Sequence, residues 1–248
     1  MSGLRTFSAF LLTGMIAVIF LPIGILAFLF SFTGLKKPMG YLAFLVAYMW
    51  SHIMIGISGC TLTIKGRGNI PRKGGICFVS NHGSIFDIIL VLALIGRPFG
   101  FIAKKELAYI PFLNVWISIL GGLFIDRKNP RKGLKTINKG ILRLKAGSNI
   151  IIFPEGHRSR GQGLLPFRSG SFKLATQSGV PIVPIAIKGS YDVFEKYGRV
   201  NPCPVSIICN PPLYVEERPA ENRRQILAEE VRSVIEKALA EESMEQSI

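Results

Sequence analysis

The feature that most constrains the fold is a pair of apolar segments at the N-terminus. Residues 6–35 carry no charged side chain, and between residues 39 and 64 there is no Asp, Glu, Lys or Arg, so that the ionisable groups of note are His52 and Cys60. About 20 apolar residues suffice to cross a bilayer, so each segment is long enough. A signal peptide would be shorter and followed by polar sequence, whereas here a second apolar segment follows directly. We therefore predict a two-helix membrane anchor over residues 1–60 and a second domain over residues 61–248.

The charges beside these segments do not select one orientation. Arg5 precedes the first, Lys36 and Lys37 separate the two, and Lys65 and Arg67 follow the second, so every flank is basic. A hairpin that spans the bilayer would place the lysine pair on the opposite side of the membrane from the other basic flanks, against the positive-inside rule. We favour a bent helix pair embedded from the cytoplasmic face, with a spanning hairpin as the alternative.

The net charge of +15 is concentrated in one part of the chain. Residues 61–160 contain 17 Lys and Arg against four acidic residues, whereas residues 213–248 contain five against nine. A basic surface beside a membrane anchor fits anionic membrane lipid, at about 1 kcal/mol for each basic residue near the surface. Neither a helix-turn-helix nor a zinc-finger spacing is present, so we predict no nucleic-acid partner. The four cysteines form no C-x-x-C pair, which favours reduced thiols in the core over a zinc or disulfide framework.

After residue 60, short apolar runs alternate with helical patterns. This alternation predicts an α/β fold with a mixed, largely parallel sheet flanked by helices. One predicted helix starts at Pro130 and places Leu134, Ile137, Ile141 and Leu144 on one face. The predicted strands cover residues 60–65, 76–80, 99–103, 149–153, 180–187 and 205–209. Of the other predicted helices, one follows the second strand and ends near residue 95, and three cover residues 111–120, 169–177 and 219–242.

A polar cluster follows the second predicted strand. His82 comes just after the strand, and Asp87 lies five residues on in the first turn of the next helix. At this spacing Asp87 can fix the tautomer of His82 and leave its other ring nitrogen free to take a proton. No G-x-S-x-G elbow is present, so the proton must come from the substrate. In the alternative interpretation, Asp87 only favours the helix dipole and His82 is an ordinary surface residue.

Charged side chains also follow the later strands, and strand ends of an α/β sheet meet at one rim. Arginines and backbone N–H groups at such turns can cradle a phosphate, because a fork of donors matches its oxygens. Each residue also has a plain alternative, as a solvated surface charge or a local ion pair. The residues concerned are Lys104, Asp126, Arg127, Glu155 and Arg158.

Four motifs in this order resemble those of the glycerophospholipid acyltransferases. They read NHGSIFD over residues 81–87, GLFIDR over 122–127, FPEGHRS over 153–159 and VPIVP over 180–184. The length and the N-terminal helix pair resemble the bacterial members that form phosphatidic acid. One residue departs from the pattern, because the family usually has threonine where this chain has His157.

The resemblance implies acyl transfer from acyl-CoA or an acyl carrier protein thioester to the sn-2 hydroxyl of lysophosphatidic acid. It implies no metal or prosthetic group, and a location at the cytoplasmic face of a bacterial inner membrane. Backbone N–H groups near Gly156 are the expected donors to the oxyanion. The residues implied are His82 as general base, Asp87 as its partner, and Arg158, Arg127, Lys104, Glu155 and Gly156 at the substrate phosphate.

Two alternatives stay open. The acceptor could be glycerol 3-phosphate or another lysophospholipid, because the motifs define the reaction better than the acceptor. The protein could instead be a non-catalytic membrane protein that binds anionic lipid, which measurable thioester consumption would exclude.

Overall fold

A computed structural model describes residues 2–22, 25–26 and 36–245, and it leaves out the side chains of residues 36–39. Two long apolar helices come first, α1 (Ser2–Ile19) and α2 (Lys36–Ser58). By length and composition, Ser2–Ile19 and Gly40–Ser58 could each cross a membrane. The connection between them lies outside the described residues. The choice between a bent pair and a spanning hairpin therefore stays a prediction.

The rest of the chain forms one seven-stranded sheet with the order β1-β7-β6-β2-β5-β3-β4. Strands β2 to β6 pair with one another in parallel, β7 is antiparallel to β6, and β1 is parallel to β7. The prediction of a mixed, largely parallel sheet is confirmed. The strands are β1 (Thr61–Lys65), β2 (Cys77–Ser80), β3 (Phe99–Lys104), β4 (Leu123–Ile125), β5 (Asn149–Ile152), β6 (Ile182–Lys188) and β7 (Pro204–Cys209).

Helices cover both faces of this sheet. On β2, Phe78 belongs to one hydrophobic core, whereas Cys77 and Val79 belong to the other. Burial on both faces explains why the central strands are continuous apolar runs rather than alternating ones. The helices of this part of the chain are α3 (Phe86–Ile95), α4 (Leu113–Ile119), α5 (Pro130–Lys145), α6 (Lys173–Ser178), α7 (Ser190–Val193) and α8 (Arg223–Glu245).

The second apolar helix belongs to the packing of the sheet domain. Phe44 and Ala47 of α2 are buried in the same core as Phe78, and the ring of Phe44 meets that of Phe99 edge to face at 6.3 Å. By contrast, α1 has no buried residue. The two N-terminal helices therefore differ, since one is part of the core and the other exposes its apolar side chains.

Three helices differ from the sequence-based prediction. The helix predicted over residues 169–177 is a 3₁₀ turn over Ser169–Phe172 followed by α6. Helix α8 begins at Arg223 rather than at Pro219, because Asn222 adopts a left-handed φ of 53° that interrupts helical geometry. Leu134 of α5 is 43% exposed, so it does not share the buried face with Ile141 and Leu144. Two glycines of α5, Gly133 and Gly140, are buried instead, which lets the helix lie close to the sheet.

The four cysteines are free thiols. Cys77 and Cys209 are buried, as predicted, and burial raises the pKa of each to about 12. Cys60 and Cys203 are only half-buried at the edge of the core, with their Sγ atoms 4.0 Å apart. The expectation of four core thiols is therefore correct for two.

Candidate active site

The turn after β2 is bonded to the neighbouring strand β6 through Asn81, the residue before His82. Asn81 donates its side-chain N–H to the carbonyl of Ile187 and accepts from the N–H of Ile187, both at 2.8 Å. This pair of bonds continues the pairing of β2 with β6 by one residue. A Cβ on Gly83 would lie 3.4 Å from the Ser190 hydroxyl, so the turn also packs tightly against α7.

His82 and Asp87 form a hydrogen-bonded pair at this turn. Nδ1 of His82 lies 2.7 Å from Oδ2 of Asp87, which is fully buried. The same Oδ2 accepts the backbone N–H of Ser84 at 2.9 Å, so the carboxylate cannot rotate without losing both bonds. The ring of Phe153 stacks on the imidazole at 4.3 Å. Because Nδ1 carries the proton given to Asp87, Nε2 is the basic nitrogen.

Glu155 stabilises this turn from inside the protein, and its carboxylate is not exposed to a substrate. It is 2% exposed, and it accepts the backbone N–H of His82 at 2.7 Å and that of Leu165 at 3.3 Å. Burial raises the pKa of Glu155, while these two bonds oppose the shift. The expectation that Glu155 contacts the phosphate is corrected, since a buried carboxylate would repel that anion.

Arg158 lies on the loop after β5, close to the His82 turn. The backbone of the next residue reaches the turn directly, because Ser159 donates its N–H to the carbonyl of His82 at 2.8 Å. Nη1 of Arg158 pairs with Glu195 at 2.8 Å, so Arg158 is in an ion pair, but its partner is Glu195 and not the nearby motif residue Glu155. A third of the Arg158 side chain remains exposed.

Two further arginines meet at Gly156. Nη1 of Arg127 donates to the Gly156 carbonyl, and a Cβ on Gly156 would come within 3.0 Å of the guanidinium of Arg168. Gly156 has φ +79°, a conformation that favours glycine. The pKa of Arg127 is lowered mainly by desolvation and, to a smaller extent, by the charge of Arg168. Arg127 nonetheless stays protonated at neutral pH. The loop therefore gathers positive charge.

The backbone donors of this loop are partly used within it. The N–H of Gly156 donates to the carbonyl of Phe153 at 3.1 Å, so it is not a free oxyanion donor. Within the described residues, the N–H groups of His157 and Arg158 donate to no protein oxygen. Of the backbone N–H groups expected near Gly156 as oxyanion donors, those of His157 and Arg158 are free to act.

The lysines after β3 have different surroundings. Lys104 is 57% exposed, with Nζ 3.8 Å from Glu106. Lys105 pairs with Asp126 at 2.8 Å, and this bond lowers the pKa of Asp126. Asp126 also accepts the N–H groups of Lys128 and Asn129, at 3.0 and 3.2 Å, just before α5. Lys104 is thus the solvent-facing cation of the pair, whereas Lys105 secures the loop after β4.

Two residues that contact the site were missed from the sequence. Glu195 follows α7, 11 residues after the fourth motif, and Arg168 lies nine residues after the third motif. Each reaches the site only through the folding of its loop, so no local pattern could have indicated it. His157 is exposed, and among the described residues no group of three or more His, Cys, Asp or Glu could hold a metal ion.

The mixed α/β sheet carries a His–Asp pair at the end of a central strand, beside a loop rich in arginine, an arrangement typical of enzymes that use a general base near a bound anion. The family model described as "Acyltransferase" matches residues 61–188, more than half of the 248 residues. The chain therefore belongs to the acyltransferase family, as the four motifs predicted.

The similar proteins include bacterial and plant enzymes named 1-acyl-sn-glycerol-3-phosphate acyltransferases. The Salmonella typhimurium enzyme is 34% identical over 184 residues, which are 74% of each chain. The Borreliella burgdorferi enzyme is 30% identical over 155 residues, 62% of each chain. The chloroplastic BAT2 enzyme of Brassica napus is 31% identical over 197 residues, which cover 78% of this chain and 55% of that one.

A solved structure agrees over almost the whole chain. The 1-acyl-sn-glycerophosphate acyltransferase PlsC from Thermotoga maritima matches with a TM-score of 0.80 and 26% sequence identity. The match covers 98% of both chains, so it includes the N-terminal helices as well as the sheet.

Proposed function

We propose that this protein transfers a fatty acyl group from a thioester to the sn-2 hydroxyl of 1-acyl-sn-glycerol 3-phosphate, giving phosphatidic acid. The observation that carries the proposal is the 2.7 Å contact between His82 Nδ1 and Asp87 Oδ2, which leaves Nε2 as a base at the strand ends. The relatives named 1-acyl-sn-glycerol-3-phosphate acyltransferases support this choice of acceptor.

The reaction follows from these positions. Nε2 of His82 takes the proton of the acceptor hydroxyl while the oxygen attacks the thioester carbonyl, and buried Asp87 stabilises the imidazolium that forms. The tetrahedral intermediate collapses by breaking the carbon–sulfur bond, and the leaving thiolate accepts the proton from His82. The backbone N–H groups of His157 and Arg158 would donate to the oxyanion, each worth about 3 kcal/mol in comparable sites.

The acceptor phosphate would lie against the arginine-rich loop. Arg158 contributes a side chain that is one third exposed, and Arg127 lies at the Gly156 carbonyl beside Arg168. Lys104, 57% exposed after β3, supplies a further charge. Planar guanidinium groups bind phosphate with paired hydrogen bonds, which fixes the acceptor as well as attracting it.

The acceptor and product are membrane lipids, and the N-terminal helices suit this location. Leu4, Phe7 and Phe10 of α1 are each more than 60% exposed, which fits contact with lipid chains. Five basic residues of α5 are exposed and would attract anionic lipid: Arg131, Lys132, Lys135, Lys139 and Lys145. We place the protein at the cytoplasmic face of a bacterial inner membrane, where both candidate donors, acyl-CoA and acyl carrier protein thioesters, are made.

An assay of purified full-length protein tests this function. Lysophosphatidic acid, glycerol 3-phosphate and a neutral lysophospholipid are offered in mixed micelles with matched acyl-CoA and acyl carrier protein thioesters, with and without a metal chelator. We expect phosphatidic acid from lysophosphatidic acid alone, unaffected by the chelator. Turnover only with glycerol 3-phosphate would change the acceptor, and no thioester consumption with any acceptor would refute the enzyme.

A further inference from the structure

We propose that Glu195 is a positioning residue that holds the phosphate-binding arginine and the base-bearing turn in one fixed arrangement. The proposal rests on the function proposed above and adds a residue outside the four motifs. Its basis is a single carboxylate that contacts both halves of the site.

Glu195 makes three contacts. Its Oε1 accepts from Nη1 of Arg158 at 2.8 Å and from the backbone N–H of Ile85 at 2.7 Å. Its Oε2 accepts the hydroxyl of Ser84. The side chain is only 12% exposed, so these bonds face little competition from water.

The contact with Ser84 leads directly to the catalytic pair. Ser84 donates its backbone N–H to Asp87 Oδ2 at 2.9 Å, and that same oxygen contacts His82. Ser84 also accepts the N–H of Phe86 at 2.9 Å, at the start of α3. Glu195 is therefore one residue removed from Asp87 on one side and in contact with Arg158 on the other.

The arrangement defines what Glu195 does to Arg158. A long arginine side chain has many rotamers, and fixing one of them before the ligand arrives lowers the entropic cost of binding. The bond through Nη1 fixes one end of the guanidinium, while a third of the Arg158 side chain stays exposed. Arg158 is thus oriented for a phosphate at a set position relative to His82.

The segment that carries Glu195 is itself held by the first apolar helix. The ring of Phe194 meets that of Phe10 edge to face at 6.1 Å, and Val200 donates its N–H to the Thr6 hydroxyl at 2.8 Å. The positioning of Arg158 therefore also depends on α1, the helix whose apolar side chains are otherwise exposed.

A double-mutant cycle tests the proposal on the full-length protein in detergent micelles. The variants are Glu195→Gln, Arg158→Ala and the double variant, and Asp192→Asn is the matched control because it breaks only an exposed ion pair with Lys196. Glutamine keeps the size and one acceptor but loses the charge. Acceptor KM, donor KM, kcat and Tm are measured, together with the Kd of lysophosphatidic acid without donor.

We expect Glu195→Gln to raise the acceptor KM and Kd about tenfold, the ratio a charged hydrogen bond commonly contributes, with donor KM and Tm nearly unchanged. In the Arg158→Ala background, the same change should alter the acceptor KM and Kd by less than twofold, because Glu195 affects phosphate binding through that arginine. Asp192→Asn should behave as wild type.

Other results would overturn the positioning role. Equal fold-changes in both backgrounds would show that Glu195 does not act through Arg158, and a lowered KM would show that its carboxylate only competes with the phosphate. Kd separates this inference from the proposed function. Coupled effects on Kd without any turnover would refute the function and support the positioning role, and wild-type protein that neither binds nor acylates the acceptor would refute both.

Discussion

Single residues decide which charges of this rim face the substrate. The sequence brought six acidic or basic side chains to the strand ends, but burial divides them into two groups. Glu155 and Asp87 are buried and satisfy backbone or imidazole donors, whereas Arg158 and Lys104 reach solvent. Because these two carboxylates are buried and the two cations are exposed, the rim suits the binding of a phosphate.

The pH dependence of stability should reveal the buried Glu155. Because burial raises its pKa, the folded protein holds this proton more tightly than the unfolded chain. Its contribution to stability is fully present below the unfolded pKa and is lost as the pH rises through the folded pKa. The Tm of wild type should therefore fall relative to that of Glu155→Gln as the pH rises above the ordinary glutamate pKa of about 4.3. A difference in Tm that stays constant or changes in the opposite direction would contradict this account.

At the scale of secondary-structure elements, glycine sets how closely the strands carrying the rim approach one another. A Cβ on Gly100 of β3 would lie 2.2 Å from the carbonyl of Gly121, just before β4. Arg143 of α5 donates to the same carbonyl at 2.6 Å. Strands β3 and β4 and helix α5 therefore meet at one backbone atom.

Gly100→Ala should destabilise the protein by about 2 kcal/mol or more, because overpacking forces the backbone apart. Lys104 and Asp126 lie at the ends of these two strands, so the activity should fall as well. Gly68→Ala is the control, since a Cβ there would meet nothing within 4 Å. Thermal or denaturant unfolding of both variants measures the difference, and equal stabilities would show that the contact can relax.

Elements were more predictable than their contacts. The six predicted strands are present, because buried strands between glycines and polar turns leave a strong local pattern. The face of α5 was predicted incorrectly at Leu134, since the helix approaches the sheet through Gly133 and Gly140, which carry no hydrophobic signal. Glu195 and Arg168 could not be predicted at all, because both lie outside the motifs, in loops with no local pattern, and reach the site only in the folded chain.

At the scale of the whole molecule, the two N-terminal apolar helices pack against the sheet domain. Phe44 and Ala47 of α2 are in the core, and the ring of Phe10 of α1 contacts that of Phe194, next to Glu195. A boundary at residue 60 therefore marks a change of composition more than a separation of packing. The sequence showed the apolar runs but not that one of them helps to close the core.

Membrane binding should withstand salt. If basic surface residues alone bound the protein to the membrane, about 1 M salt would screen this attraction and release the protein. Embedded apolar helices are instead held by the hydrophobic effect, which salt does not screen. Full-length protein should stay in the membrane pellet at high salt and leave it in detergent. A chain without residues 1–58 should aggregate, because it lacks Phe44 and Ala47. Release of full-length protein by salt alone would refute an embedded anchor.

The most direct test of the central claim compares the two histidines near the rim. Turnover of lysophosphatidic acid is measured at saturating thioester for His82→Ala, Asp87→Asn and His157→Thr, with Tm as the check on folding. Loss of a general base commonly costs about 10²- to 10⁴-fold in rate. The account predicts that His82→Ala abolishes nearly all turnover with the fold intact, that Asp87→Asn falls nearly as far, and that His157→Thr changes at most the acceptor KM. An active His82→Ala beside an inactive His157→Thr would contradict it.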